Sequence, residues 1–227
     1  MKITKAVLYA DNIEHMKNFY AKTLGFSLLS ETDTSFEIQT GSSVLGFELD
    51  QLQEPKQYHF AFNIPENLFK EAKEWVKEHK ALLVHREKDE AFFENINAHS
   101  VYFYDPEENV VELIARHALN PVKKVQQFAS QDILDIAEMN LTTNHVLETG
   151  GKLEEIEVFE RYYESLDEYG LNFLGEPEDG SHILLGPSGR NWLFSEKVAL
   201  PSPIIIELNN QHRILLDKKG HLNYEKI

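Results

Sequence analysis

Apolar and polar positions along the chain fall into a pattern that starts over more than once. Residues 3–10, Ile-Thr-Lys-Ala-Val-Leu-Tyr-Ala, read as a strand, and Asp11-Asn12 then supplies a helix-capping signal. Ile13, Met16, Phe19, Tyr20 and Leu24 follow at helical spacing and Gly25 ends the run, so a helix is predicted over about 13–24. Strand-like runs at 26–32, 35–40 and 43–50 come next, separated by Asp33-Thr34 and Gly41-Ser42. One β-α-β-β-β unit results.

The same order then recurs. A strand at 58–64 leads to a helix near 66–79 with Leu68, Ala72, Trp75 and Val76 on one face, and strands fit 81–85, 100–104 and 110–116. The stretch 86–99 reads as a polar loop whose Phe92-Phe93 pair is placed to cover a site mouth. After a connector at 118–133 a third unit begins with a strand at 136–142. Here Phe159, Tyr162, Tyr163, Leu166 and Tyr169 form a helical stripe stopped by Gly170, whereas 145–155, with Gly150-Gly151, reads as a looser segment. Strands are expected at 171–175, 181–186 and 190–196, then an extra strand at 203–208 and a polar tail. The expected fold is α+β: paired β-α-β-β-β modules forming a cupped mixed sheet over 1–117, with a third, diverged module over 134–227. An unmatched third module leaves sheet edge and apolar face to cover, which predicts a homodimer.

Composition narrows the chemistry. The chain has no cysteine, so any metal must be held by His, Asp or Glu. A formal charge of −16 opposes nucleic acid and anionic membranes as partners; the acids are spread over polar helix faces, as solubility requires. No apolar run has the roughly 18 residues of a membrane span, and the N-terminus runs into strand-like sequence rather than a leader. A cytoplasmic protein is expected.

Asp11-Asn12-Ile13 leading to Phe19-Tyr20 and Leu24-Gly25-Phe26, and later Asp105-Pro106-Glu107-Glu108-Asn109 leading to Glu112-Leu113, resemble the vicinal oxygen chelate superfamily. That superfamily includes glyoxalase I, extradiol ring-cleaving dioxygenases, methylmalonyl-CoA epimerase, and the fosfomycin and bleomycin resistance proteins. The resemblance covers residues 3–116 and extends to 134–208 through element order alone. It implies metal ligands on the first and fourth strands of each unit, here Lys5, Glu48, His59 and Glu112. Strand alternation puts Glu48 on one face with Gly46 and Asp50, Glu112 with Val110 and Ile114, and His59 with Ala61 and Asn63.

Lys5 departs from the family pattern, since a protonated ammonium ligates no cation. Two readings follow. Either His59, Glu48 and Glu112 hold a divalent Mn, Fe, Co, Ni or Zn ion with open positions, or Lys5 replaces the metal as counter-ion to the glutamates in a metal-free pocket. Glu138 holds the same place in the third unit as Lys5 and His59, and is assigned a structural or vestigial part because its completing unit is represented only by 203–208. Taken alone, a histidine or glutamate on a strand is ordinary; coincidence with matched repeat positions singles out His59 and Glu112. The implied functions are a metal-assisted lyase, isomerase or, less well matched, oxygenase, with Glu112 or Glu48 moving a proton. The alternative is a binding protein similar to bleomycin resistance proteins, whose acidic pocket would suit a cation. A third, that residues 134–208 form a docking surface, needs a large exposed apolar patch. No organic cofactor is implied.

Overall fold

The computed structural model describes residues 1–227. The first module runs β1 (Ile3–Ala10), α1 (Ile13–Lys17), β2 (Leu28–Glu31), β3 (Ser35–Thr40) and β4 (Ser43–Leu49). The Asn12 side chain caps α1 by accepting from the His15 N–H at 3.0 Å, and the helix widens into a π-helical turn over Asn18–Thr23. That turn carries Tyr20 into the core, where its ring stacks on Phe47 at 5.1 Å and its hydroxyl donates to Asp105 at 3.1 Å. Asp105 also accepts from the N–H groups of Glu107 and Asn109 and from the Asn109 amide, so the Asp-Pro-Glu-Glu-Asn turn is fastened to the first helix.

The second module is β5 (His59–Asn63), α2 (Phe69–His79), β6 (Ala91–Phe93), β7 (Ala98–Tyr104) and β8 (Val110–Arg116). The strand expected at 81–85 reduces to two isolated bridges, Leu82 with Phe103 and His85 with Lys88, and the sheet takes its edge strand from the Phe92-Phe93 segment. The third module is β9 (Asp135–Thr142), α3 (Val146–Glu154), β10 (Asn172–Leu174) and β11 (His182–Gly186). Its helix lies in the segment read as loose, and the aromatic stripe at 159–169 is irregular. Glu157 and Tyr163 take φ of 60° and 58°, outside the helical region, and Tyr162, Tyr163 and Tyr169 are exposed. Gly150 belongs in α3 because Leu166 presses on it: a Cβ there would meet the Leu166 side chain at 2.0 Å.

At 190–196 only the bridge Asn191–Val198 remains of the expected strand. The extra strand expected at 203–208 is β12 (Ile204–Leu208), and the tail read as polar adds β13 (His212–Leu216) and β14 (Leu222–Lys226), completing a meander that buries Ile214, Leu216 and Leu222. This meander is a fourth module without a helix.

All fourteen strands join one mixed sheet, confirming an α+β fold, but the modules pair differently from the expectation. Within a module the first strand runs parallel to the last: β1 with β4, β5 with β8, β9 with β11. Between modules β1 runs antiparallel to β12 and β5 antiparallel to β9, while β1 and β9 share one register pair, Ile3–Ile136. Module one therefore pairs with module four and module two with module three. The third module is matched within its own chain, so the premise offered for a homodimer is absent. A 47-residue hydrophobic core runs through both pairs.

Candidate functional site

Parallel pairing of β5 and β8 sets His59 beside Val110 and Ala61 beside Glu112, so His59 and Glu112 share a face two residues out of step. Antiparallel pairing with β9 sets Glu138 opposite Ala61 on that same face. One ligand atom from each of His59, Glu112 and Glu138 lies within 4.8 Å of the others, and all three side chains are buried. His59 Nε2 is 3.5 Å from a Glu112 oxygen. The His59 Nδ1–H donates to the Val110 carbonyl at 3.0 Å, which fixes the neutral tautomer with its lone pair on Nε2, aimed at the glutamates. Arg116, two turns of the pleat beyond Glu112 on β8, donates to a Glu138 oxygen at 2.8 Å.

Burial dominates the electrostatics. It pushes the Glu112 carboxyl up to about 8, helped by the negative charge of Glu138, while the Tyr102 and Ser100 hydroxyls and Arg116 pull the other way. Burial also holds His59 below the usual imidazole range, more strongly than the Glu138 charge raises it. The ring of His59 lies 4.8 Å from that of Trp192.

Lys5 and Glu48 lie elsewhere. Lys5 pairs with Val44 as His59 pairs with Val110, so Gly46, not Glu48, stands where Glu112 does. Glu48 is two residues further on and exposed. Lys5 Nζ meets Glu37 at 2.5 Å, far from being a counter-ion to Glu112. The convergence of Glu48 and Lys5 on His59 is corrected because it required modules one and two to pair. Glu138, read as vestigial, takes the vacated place, since module three is the true partner of module two. The fourth-strand position of module three, two residues after His182, holds Leu184, so three of the four positions carry ligand atoms.

The triad forms part of the wall of a cavity of about 290 Å³, with Tyr102, Phe173, Leu184 and Trp192 as apolar walls and Arg161 and Arg190 among them. Phe93 lines it too, in keeping with the place expected for the Phe92-Phe93 pair. Its walls are not acidic, contrary to the pocket the binding reading assumed. Sequence reasoning missed Arg116, Arg161, Arg190 and Trp192, none of which has a spacing that announces it.

Residues 2–113 match the model of the Glyoxalase/Bleomycin resistance protein/Dioxygenase superfamily, and residues 136–190 that of the Toxoflavin-degrading enzyme. The chain belongs to the vicinal oxygen chelate superfamily. Among solved structures, a Bacillus subtilis protein provisionally named a dioxygenase is 14% identical with a TM-score of 0.63, over 100% of this chain and 84% of that one. Lactoylglutathione lyase from Agrobacterium tumefaciens is 20% identical with a TM-score of 0.41, over 49% and 91%. A glyoxalase/bleomycin resistance protein/dioxygenase from Nocardioides is 18% identical with a TM-score of 0.43, over 55% and 89%. No curated protein matches the chain. No helix in this member of the superfamily is long and apolar enough to cross a membrane.

Proposed function

We propose that this vicinal oxygen chelate protein is a metal-assisted lyase, isomerase or oxygenase of the cytoplasm, acting on a small oxygen-bearing molecule, with His59, Glu112 and Glu138 as its ligands. The convergence of three buried ligand atoms within 4.8 Å carries the reading. The donor set fits a divalent Mn, Fe, Co, Ni or Zn ion: one imidazole clamped through its far nitrogen, and two carboxylates. Such an ion, when bound, supplies Lewis acidity toward adjacent substrate oxygens.

The chain's own groups do the rest. Arg116 holds one Glu138 oxygen and leaves the other free to ligate. Glu112, its carboxyl raised toward neutrality, is suited to exchange a proton with a substrate held against Tyr102 and Trp192. Those aromatic walls exclude water from the exchange. A single histidine matches a ring-cleaving iron site, with its two histidines and one carboxylate, less well than it matches lyase or isomerase chemistry.

The test is the metal content of untagged protein alongside His59→Ala, Glu112→Ala and Glu138→Ala, with Glu48→Ala as control. About one ion per chain is expected in the wild type and Glu48→Ala, and its loss in the other three. A wild type that is metal-free and ignores added metal ends this reading. It would favour the second, a metal-free binding protein similar to bleomycin resistance proteins. That alternative draws on Arg116, which already neutralises Glu138 in the way first expected of Lys5.

A further inference from the structure

Arg161 and Arg190 both line the cavity, half-buried, and neither forms an ion pair. Arg116 and Arg213, by contrast, each meet a carboxylate, at 2.8 and 2.7 Å. In place of an acid, the Arg161 guanidinium lies 4.5 Å from the centre of the Phe173 ring, and that of Arg190 lies 4.9 Å from the centre of the Trp192 ring. The Nη1 of Arg190 and the Nε1 of Trp192 are buried donors without any partner. A chain with 38 acidic residues against 22 basic ones does not lack carboxylates to satisfy them. Leaving buried donors unmade is costly, and the aromatic contact returns only part of that cost.

The charge around the cavity points the same way. Its ionisable lining consists of His59, Glu112, Glu138, Arg161 and Arg190, with Arg116 held against Glu138. Three arginines outnumber two glutamates even when both glutamates are ionised, and a divalent ion on the triad would make the chamber more positive still. The chain as a whole carries −16, so this is a local reversal of sign. Trp192, Tyr102 and Phe173 line the same cavity as the arginines and the triad, and the volume of about 290 Å³ holds one ring with small substituents.

We propose that the cavity selects a small planar carboxylate, an arene or conjugated alkene acid, and that Arg161 and Arg190 are the residues that select it. The proposal gives a substrate class to the site described above and rests on that cavity being the binding site, but not on a metal being held there. Planarity follows from the ring-lined walls and the anionic group from the two unpaired guanidiniums. Arginine suits this task because its flat fork donates two parallel hydrogen bonds to a carboxylate while one face of the guanidinium stays on an aromatic ring.

The experiment is calorimetric titration of the full chain with benzoate, benzamide and benzylammonium, which share a ring and differ in charge, with and without added Mn²⁺. Benzoate should bind at least about tenfold more tightly than benzamide, the worth of one charge-assisted hydrogen bond, and benzylammonium should not bind. Arg161→Gln and Arg190→Gln should each remove the preference for benzoate while leaving benzamide unchanged, and Arg190→Lys should keep part of it. Quenching of Trp192 in a Trp75→Phe variant, whose thermal transition confirms folding, locates the bound ring. Equal affinity for benzoate and benzamide, or no benzoate binding at all, overturns the proposal. Anion preference without any metal uptake upholds it while the metal reading fails; metal uptake without anion preference does the reverse.

Discussion

The half of the sheet built on β5 and β9 buries a histidine and two glutamates, whereas the half built on β1 and β12 puts Lys5, Gly46 and Ile205 at the corresponding places. Val7 faces Ile205 across β1 and β12 just as Ala61 faces Glu138 across β5 and β9. In this second half the charges meet near the surface: Lys5 with Glu37, and Arg213 with Glu207 and Glu225, all partly exposed. The same strand geometry thus carries a desolvated cluster once and solvated ion pairs once. Geometry alone does not make the site; three ligand-bearing side chains and the exclusion of water do.

The largest effect separating the halves should come from Arg116. Arg116→Ala leaves Glu138 buried and unpaired, and should lower stability by ~3–5 kcal/mol in urea unfolding, while the paired change Arg116→Met with Glu138→Leu should be near neutral. An equally large loss in the double variant would mean that the pair is needed for packing rather than for charge balance.

Next in size is the fastening between the halves, Tyr20 on Asp105. Burial raises the Asp105 carboxyl from its ordinary value near 3.8 to about 6 despite its hydrogen-bond donors. A carboxyl raised on folding penalises the charged form, so its contribution to stability is intact below about pH 4 and is lost as pH climbs through 6, a fall of ~3 kcal/mol. Asp105→Asn should flatten that stretch of the stability–pH curve. An unchanged curve would assign the slope to another group.

What could be read from the sequence was local. The Asn12 cap and the apolar stripes of the first two helices rest on neighbours in the chain, and these agree with the fold. Which module pairs with which is not local: the strands carrying Lys5, His59 and Glu138 are equivalent as patterns, and only the assembled sheet distinguishes β5–β9 from β1–β5. Glu138 was visible as a matched position but discounted for want of a partner. The shift from Glu48 to Gly46 turns on a two-residue register that alternation does not resolve, since both lie on one face. The aromatic stripe at 159–169 has helical spacing, yet its tyrosines are exposed, and the Tyr162 ring lies 4.9 Å from the Arg161 guanidinium beside the cavity.

The smallest effect should be at Lys5. Lys5→Met breaks a half-solvated pair, so its cost should stay below about 1 kcal/mol and shrink in high salt. A loss comparable to that of Arg116→Ala would erase the distinction drawn between the halves.

The order of pairing along the chain works like nested brackets: β5 with β9 inside, β1 with β12 outside. During synthesis the inner pair has all its strands once about residue 186 has emerged, whereas β1 waits for a partner that begins at Ile204. The half that holds the triad can therefore close first, and the N-terminal module, made earliest, is among the last to find its neighbour. Until then the partner-facing edge of β1 stays open, making the emerging chain most prone to wrong pairing just before its last strands arrive.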